Sequence, residues 1–266
     1  MRFVRTILVV VVTAALMATA ASGFAADTAE VVFEDTAAGE NQPGWLFNRD
    51  ASTSTPFEFN SDAASIGQGS LYVAPIGSTP ADKFIGEYFF LGGIDDFDSI
   101  AYDFLIGGGG TSVDAVHFYL NVYTNLPGTP VTNFFDCRFD FVPTSGSTAG
   151  FTTVSVDGAA APTRVQSRGG AVCPTTLGGL PAGSTIRVFA VNVGDTSAND
   201  ADLDGFLDRV VLSGDGMATT FDFEPMIGPP TDKDECKRGG WAEFNNPEFR
   251  NQGDCVSYVA SKGRSR

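Results

Sequence analysis

The sequence predicts an all-β body, an antiparallel sandwich or barrel, followed by a small cysteine-stapled C-terminal module. Three observations predict it. About ten short runs rich in Phe, Val, Ile and Tyr follow one another, separated by Gly, Pro, Asn and Asp clusters. Several runs alternate apolar and polar residues, the mark of strands with one buried and one wet face. No long segment between residues 26 and 224 repeats apolar residues at helical spacing.

The chain opens with Arg2 and Arg5, an almost wholly apolar stretch over 6–21, and then small residues. This is the pattern of a secretory signal peptide over residues 1–25, since the apolar run is short for a bilayer span. The β-sandwich is expected over 26–225, with strands at 30–34, 70–74, 83–91, 99–106, 115–123, 134–142, 151–156, 184–193, 207–212 and 219–224. In 99–106, Ile100, Tyr102, Phe104 and Ile106 share a face opposite Ala101, Asp103 and Leu105. In 115–123, Val116, Phe118, Leu120 and Val122 form an apolar face, and His117, Tyr119, Asn121 and Tyr123 form the other. Pro229 and Pro230 mark a linker over 226–231. The module over 232–266 reads as two short helices. One, over 232–238, has acidic residues in its first turn and stops at Gly239 and Gly240; the second, over 254–261, is closed by Gly263. Trp241, Phe244, Phe249 and Tyr258 would supply its core.

Charge is unevenly placed. Residues 26–224 hold 26 carboxylates against seven basic side chains, whereas residues 225–266 hold six against seven. An acidic body repels phosphate backbones and anionic lipid, which argues against nucleic acid and membrane surfaces as partners and favours divalent cations. No apolar run of bilayer-spanning length follows the signal segment, so a mature chain without a membrane span, secreted to the extracellular space, is expected. Four cysteines in an exported chain favour disulfides, with three pairings possible. Nearness in sequence favours Cys137 with Cys173 and Cys236 with Cys255. A structural zinc site would need Cys-x-x-Cys pairs or more histidine than His117 alone.

Three fragments in order resemble the opening, second and closing strands of galactose-binding-like jelly rolls, the fold of many secreted carbohydrate-binding modules. They are Phe33-Glu34-Asp35 with Gly44-Trp45, then Gly67-Gln68-Gly69-Ser70-Leu71-Tyr72-Val73, then Phe206-Leu207-Asp208-Arg209-Val210-Val211-Leu212. The resemblance implies a jelly-roll sandwich and a structural calcium held by an acidic residue near the first strand and an aspartate opening the last; Glu34 or Asp35, and Asp208, match those positions. The chain departs from the pattern by running past Leu212 into a further strand, and a laminin-G-like or concanavalin-like sandwich is the alternative. The tail resembles a short cysteine-containing element appended to assorted secreted bacterial proteins, on the motifs KDECKRGGW and FRNQGDCVSYV.

The most specific chemistry lies in NDADLDGFLDRVV, from Asn199 to Val211. Asp200, Asp202, Asp204 and Asp208 fall at positions 1, 3, 5 and 9 of an EF-hand-type loop, but Val211 stands where the final bidentate glutamate belongs and the flanks read as strands. A calcium loop between strands, completed by a distant carboxylate such as Glu34, is the expectation; an acidic turn that binds nothing is the rival. Signatures of serine hydrolases, zinc proteases and nucleotide-binding loops are missing. The acids suited to glycoside hydrolysis are plentiful, but no spacing selects a pair. Sugars are held by aromatic faces beside hydrogen-bonding groups, which the face formed by His117, Tyr119, Asn121 and Tyr123 offers; Tyr72, Tyr88 and Trp45 are candidates to join it. The sequence therefore points to a non-catalytic module, stabilised by calcium, that binds a polysaccharide or another cell-surface component. A structural or adhesive protein is the alternative, and a glycan-cleaving enzyme comes third.

Overall fold

The computed structural model describes residues 27–48, 55–76, 83–130, 133–194 and 203–261. The expected signal peptide lies outside them. The described residues make thirteen strands: β1 (Thr28–Val32), β2 (Gly44–Phe47), β3 (Phe57–Asn60), β4 (Ser70–Val73), β5 (Phe84–Gly93), β6 (Ser99–Ile106), β7 (Phe118–Asn125), β8 (Cys137–Phe141), β9 (Thr152–Asp157), β10 (Arg164–Ser167), β11 (Thr185–Val193), β12 (Gly205–Gly214) and β13 (Met217–Phe223). One helix, α1 (Gln252–Ala260), follows. No helix among the described residues is long and apolar enough to cross a membrane.

Two sheets form. The six-stranded sheet runs β10-β8-β7-β11-β5-β2 and is antiparallel throughout. The seven-stranded sheet is organised around β12, which pairs along its length with β6, while β6 carries β9 on its far side. The other edge of β12 is shared: β4 takes residues 205–207 and β13 takes residues 210–214. β3 adds to β4, and β1 adds to β13 as the one parallel pair. Three strands were not expected from the sequence: β2, β3 and β10, each of four residues.

The core lies between the sheets, where the alternating apolar faces meet. Ile100, Tyr102, Phe104 and Ile106 from β6 and Phe118, Leu120 and Val122 from β7 are at most 1% exposed. Phe104 stacks on Phe118 at 4.8 Å. The Tyr102 hydroxyl donates to the Phe118 carbonyl at 2.7 Å, satisfying the polar end of a fully buried ring. Trp45 of β2 meets Phe221 and Phe223 of β13 edge-on at 5.5 and 5.0 Å, so the aromatic cluster joins the two sheets at one end. Each such ring contributes about 2–3 kcal/mol by leaving water.

Cys137 of β8 is bonded to Cys173 beyond β10, and Cys236 to Cys255 at the start of α1. In the tail the structure departs from two helices. Residues 233–236 form turns and 237–242 a 3-10 segment, because Arg238 and Gly239 take left-handed backbone angles (φ 56° and 98°) that interrupt an α-helix. The second expected helix is α1, capped by the Asn251 side chain accepting from the Asp254 N–H. Phe249 packs edge-on against both Phe244 and Tyr258, as a small core requires. The proposed linker is tied to this tail: the Ile227 N–H donates to the Asn245 side chain at 2.8 Å, and the Asn245 amide donates to the Pro225 carbonyl.

Candidate functional site

The outward face of the six-stranded sheet carries a cleft of about 240 Å³, lined chiefly by Tyr119, Asn121, Tyr123, Arg138, Asp140 and Arg164, with Lys83 at its rim. Strand register assembles it. Asn121 lies opposite Asp140, and Asp140 opposite Arg164; Tyr123 lies opposite Arg138, and Arg138 opposite Gln166. Because each residue alternates with a core residue (Leu120, Val122, Phe139), burying the inner face fixes which side chains face outward.

The polar groups are held in place. Arg138 grips Asp140 through two parallel bonds, Nε to Oδ1 at 2.7 Å and an Nη to Oδ2 at 2.9 Å. The Asn121 amide also donates to Asp140 at 2.8 Å, and Asn192 of β11 donates to the Asn121 oxygen at 3.1 Å. Turning the Gln166 amide so that its oxygen faces the guanidinium groups lets it accept from both Arg138 and Arg164. Burial pushes the Tyr123 hydroxyl pKa upward, opposed by the positive charge of Arg138, so the phenol is neutral at ordinary pH and both donates and accepts.

The two tyrosines differ. Tyr123 is enclosed: its ring meets Phe134 at 4.9 Å and Phe135 at 5.4 Å, and the Arg138 guanidinium lies over it at 5.9 Å. Tyr119 stands partly exposed on the cleft wall. Of the four residues expected to form this face, Tyr119, Asn121 and Tyr123 line the cleft. His117 does not. It ends a 3-10 turn (Ser112–His117) just before β7 and is buried, while Val116, expected in the core, is 40% exposed. The turn shifts both residues off the strand's alternation. Trp45 and Tyr88 belong to the aromatic core, and Tyr72 is on β4 of the other sheet, so none of the three joins the face.

Arg138 and Asp140 were missed, although the alternation in FFDCRFDFV places both opposite Cys137, Phe139 and Phe141. Arg164 carried no such signal, since β10 is short and polar.

Of the residues expected to hold calcium, Asp200 and Asp202 lie outside the described residues. Asp204 accepts from the Tyr72 hydroxyl at 3.1 Å through Oδ2, and its Oδ1 is buried without a hydrogen-bond partner among the described residues. Gly107 leaves room for it, since a Cβ there would sit 2.1 Å from that oxygen. Glu34 is exposed. Among the described residues no three metal-binding side chains converge as a site.

Asp208 is fully buried where the edge of β12 changes partner from β4 to β13. Its Oδ2 accepts from the Ser65 N–H (2.7 Å), the Ser65 hydroxyl (2.9 Å) and the Ile66 N–H (3.2 Å); its Oδ1 accepts from the N–H groups of Arg209 (2.7 Å) and Phe223 (3.4 Å). A bulge at Arg209, with φ 29°, turns the carboxylate into this gap. Burial nevertheless raises its pKa, outweighing the backbone hydrogen bonds that favour the charge. Beside it, burial and then the charges of Glu224 and Asp208 push Asp222 up to about 7.

No family model and no curated protein matches this chain. Solved structures are similar to it at low identity. The family 11 carbohydrate-binding module of the cellulosomal cellulase Lic26A-Cel5E of Clostridium thermocellum is 15% identical, with a TM-score of 0.39, over 70% of this chain and 96% of that one. The family 11 module from the same organism in complex with a β-1,3-1,4-mixed-linked tetrasaccharide is 14% identical, with a TM-score of 0.38, over 68% and 89%. The CBM22-1 xylan-binding domain of Paenibacillus barcinonensis Xyn10C is 12% identical, with a TM-score of 0.35, over 71% and 99%.

Proposed function

We propose that this protein is a secreted, non-catalytic module of jelly-roll type that binds a polysaccharide or a cell-surface glycan in the cleft of its six-stranded sheet. The observation that carries the reading is the cleft itself: an accessible tyrosine beside a fixed array of amide, carboxylate and guanidinium groups. A sugar ring presents apolar C–H faces and hydroxyls that both donate and accept. Tyr119 suits the first, and Asp140, Arg138 and the Tyr123 hydroxyl suit the second. Preorganisation matters because rotamers already fixed by the Arg138–Asp140–Asn121 network need no further ordering when a ligand arrives. Affinity electrophoresis against a panel of soluble polysaccharides tests the reading. Retardation by at least one glycan, lost in Tyr119→Ala, is expected; a chain that no glycan retards contradicts it.

We also propose that calcium stabilises the fold at the aspartate-rich segment that precedes β12 in sequence, with Asp204 as its described ligand. The support is the buried Oδ1 of Asp204, without a hydrogen-bond partner among the described residues, and the further aspartates that precede it in sequence. The ion would neutralise the repulsion among those carboxylates. Thermal unfolding with added calcium and with EDTA should separate by several degrees; coincident midpoints refute it.

A further inference from the structure

The body between residues 26 and 224 has only seven basic side chains against 26 carboxylates, and they are not spread evenly. Five belong to the six-stranded sheet or its immediate flanks: Lys83 before β5, Arg138 on β8, Arg164 on β10, Arg168 just after it, and Arg187 on β11. Of the other two, Arg209 is on the opposite sheet, bound to Asp103 at 2.9 Å, and Arg49 lies outside the described residues. Three of the five stand over one connected group of rings: Arg138 over Tyr123, Arg187 over Phe134 and Arg168 over Phe135. The cleft is lined by three cations and one acid, Asp140, which Arg138 neutralises. Arg164 is exposed at the outer edge, its guanidinium steadied by Gln166.

A neutral glycan makes no use of the exposed charge of Arg164, while a carboxylate matches the planar fork of an arginine. The protein's overall charge of −16 does not oppose such a ligand at the cleft. At physiological ionic strength, charges beyond about 8 Å are largely screened, so the local field decides. We propose that the cleft takes an acidic polysaccharide, a chain carrying uronate carboxylates, with Arg164 as the residue that selects for the charge. This rests on the glycan-binding reading above.

The test compares polygalacturonate, alginate and glucuronoxylan with carboxyl-reduced polygalacturonate and a neutral mixed-linkage β-glucan, by isothermal titration calorimetry at 50 and 300 mM salt. At least one uronate polymer should bind about tenfold more tightly than the neutral polymers. Arg164→Gln should weaken that binding about tenfold and flatten its salt dependence, with the melting temperature unchanged. Binding to a neutral polymer that equals or exceeds every uronate polymer, unaffected by Arg164→Gln, overturns the inference and leaves the glycan reading intact. Failure of every polymer to bind overturns both.

Discussion

Removing Asp208 should destabilise this sandwich more than removing any other acidic side chain. The reason lies in the β12 edge, where β4 and β13 diverge and leave backbone donors without strand partners. Asp208→Ala deprives the N–H groups of Ser65, Ile66, Arg209 and Phe223 of their acceptor. A buried donor left unpaired costs about 1–3 kcal/mol. Relaxation of the 65–68 loop would let water reach some of them, and the variant no longer buries a charge that is costly enough to raise its own pKa. A net loss of about 3–5 kcal/mol follows. Asp208→Asn keeps the shape and one acceptor oxygen but turns an amide N–H toward backbone donors, and should lose about 2 kcal/mol. Urea unfolding followed by tryptophan fluorescence measures both, with buried Trp45 reporting on the core. Amide exchange should rise first at Ser65, Ile66 and Phe223 while β7 and β11 stay protected. An alanine variant within about 1 kcal/mol of the parent, at unchanged denaturant slope, would show that Asp208 does not close this gap.

The two cleft tyrosines should separate by readout. Tyr119→Ala should abolish glycan retardation with under about 1 kcal/mol lost from stability, whereas Tyr123→Ala, which empties a packed site against Phe134 and Phe135, should cost about 2 kcal/mol. Equal stability losses would contradict the assignment of Tyr123 as the packed ring. Asp222 should make stability depend on pH. Its folded pKa of about 7 lies above the ordinary aspartate value, so the native state binds more protons than the unfolded chain between those values, and stability falls as pH rises from about 4 to about 7. The nominal shift is large, but the side chain is half-buried and solvent-screened, which leaves about 1 kcal/mol. Asp222→Asn should flatten that slope in melts between pH 5 and 8; an unchanged slope assigns it elsewhere.

Much of the scaffold was legible in the residues because the side-chain period of a strand is two. SIAYDFLI and the Phe118–Val122 part of β7 each sort into faces without further information, and the structure buries the apolar members. The same rule, extended to FFDCRFDFV, places Arg138 and Asp140 outward. His117 and Val116 failed it because the strand begins at Phe118, and no periodicity marks where a 3-10 turn gives way to a strand. NDADLDGFLDRVV resolved into two parts with different roles. Asp204 keeps a buried oxygen with no hydrogen-bond partner among the described residues, and Asp208 belongs to the hydrogen-bonding of the sheet.

By itself, then, the sequence determined the all-β class, the positions of most strands, the buried and wet faces of the best of them, the acidic character of the body and three of the cleft's side chains. These follow from local alternation and composition, which need no knowledge of what lies alongside. Only the tertiary structure decided that Arg138, Asp140 and Arg164 stand next to Asn121 and Tyr123, and that a loop near residue 65 reaches Asp208. Those neighbours are tens to more than a hundred residues apart in the chain, and strand order and register, set by burying the common core, bring them together.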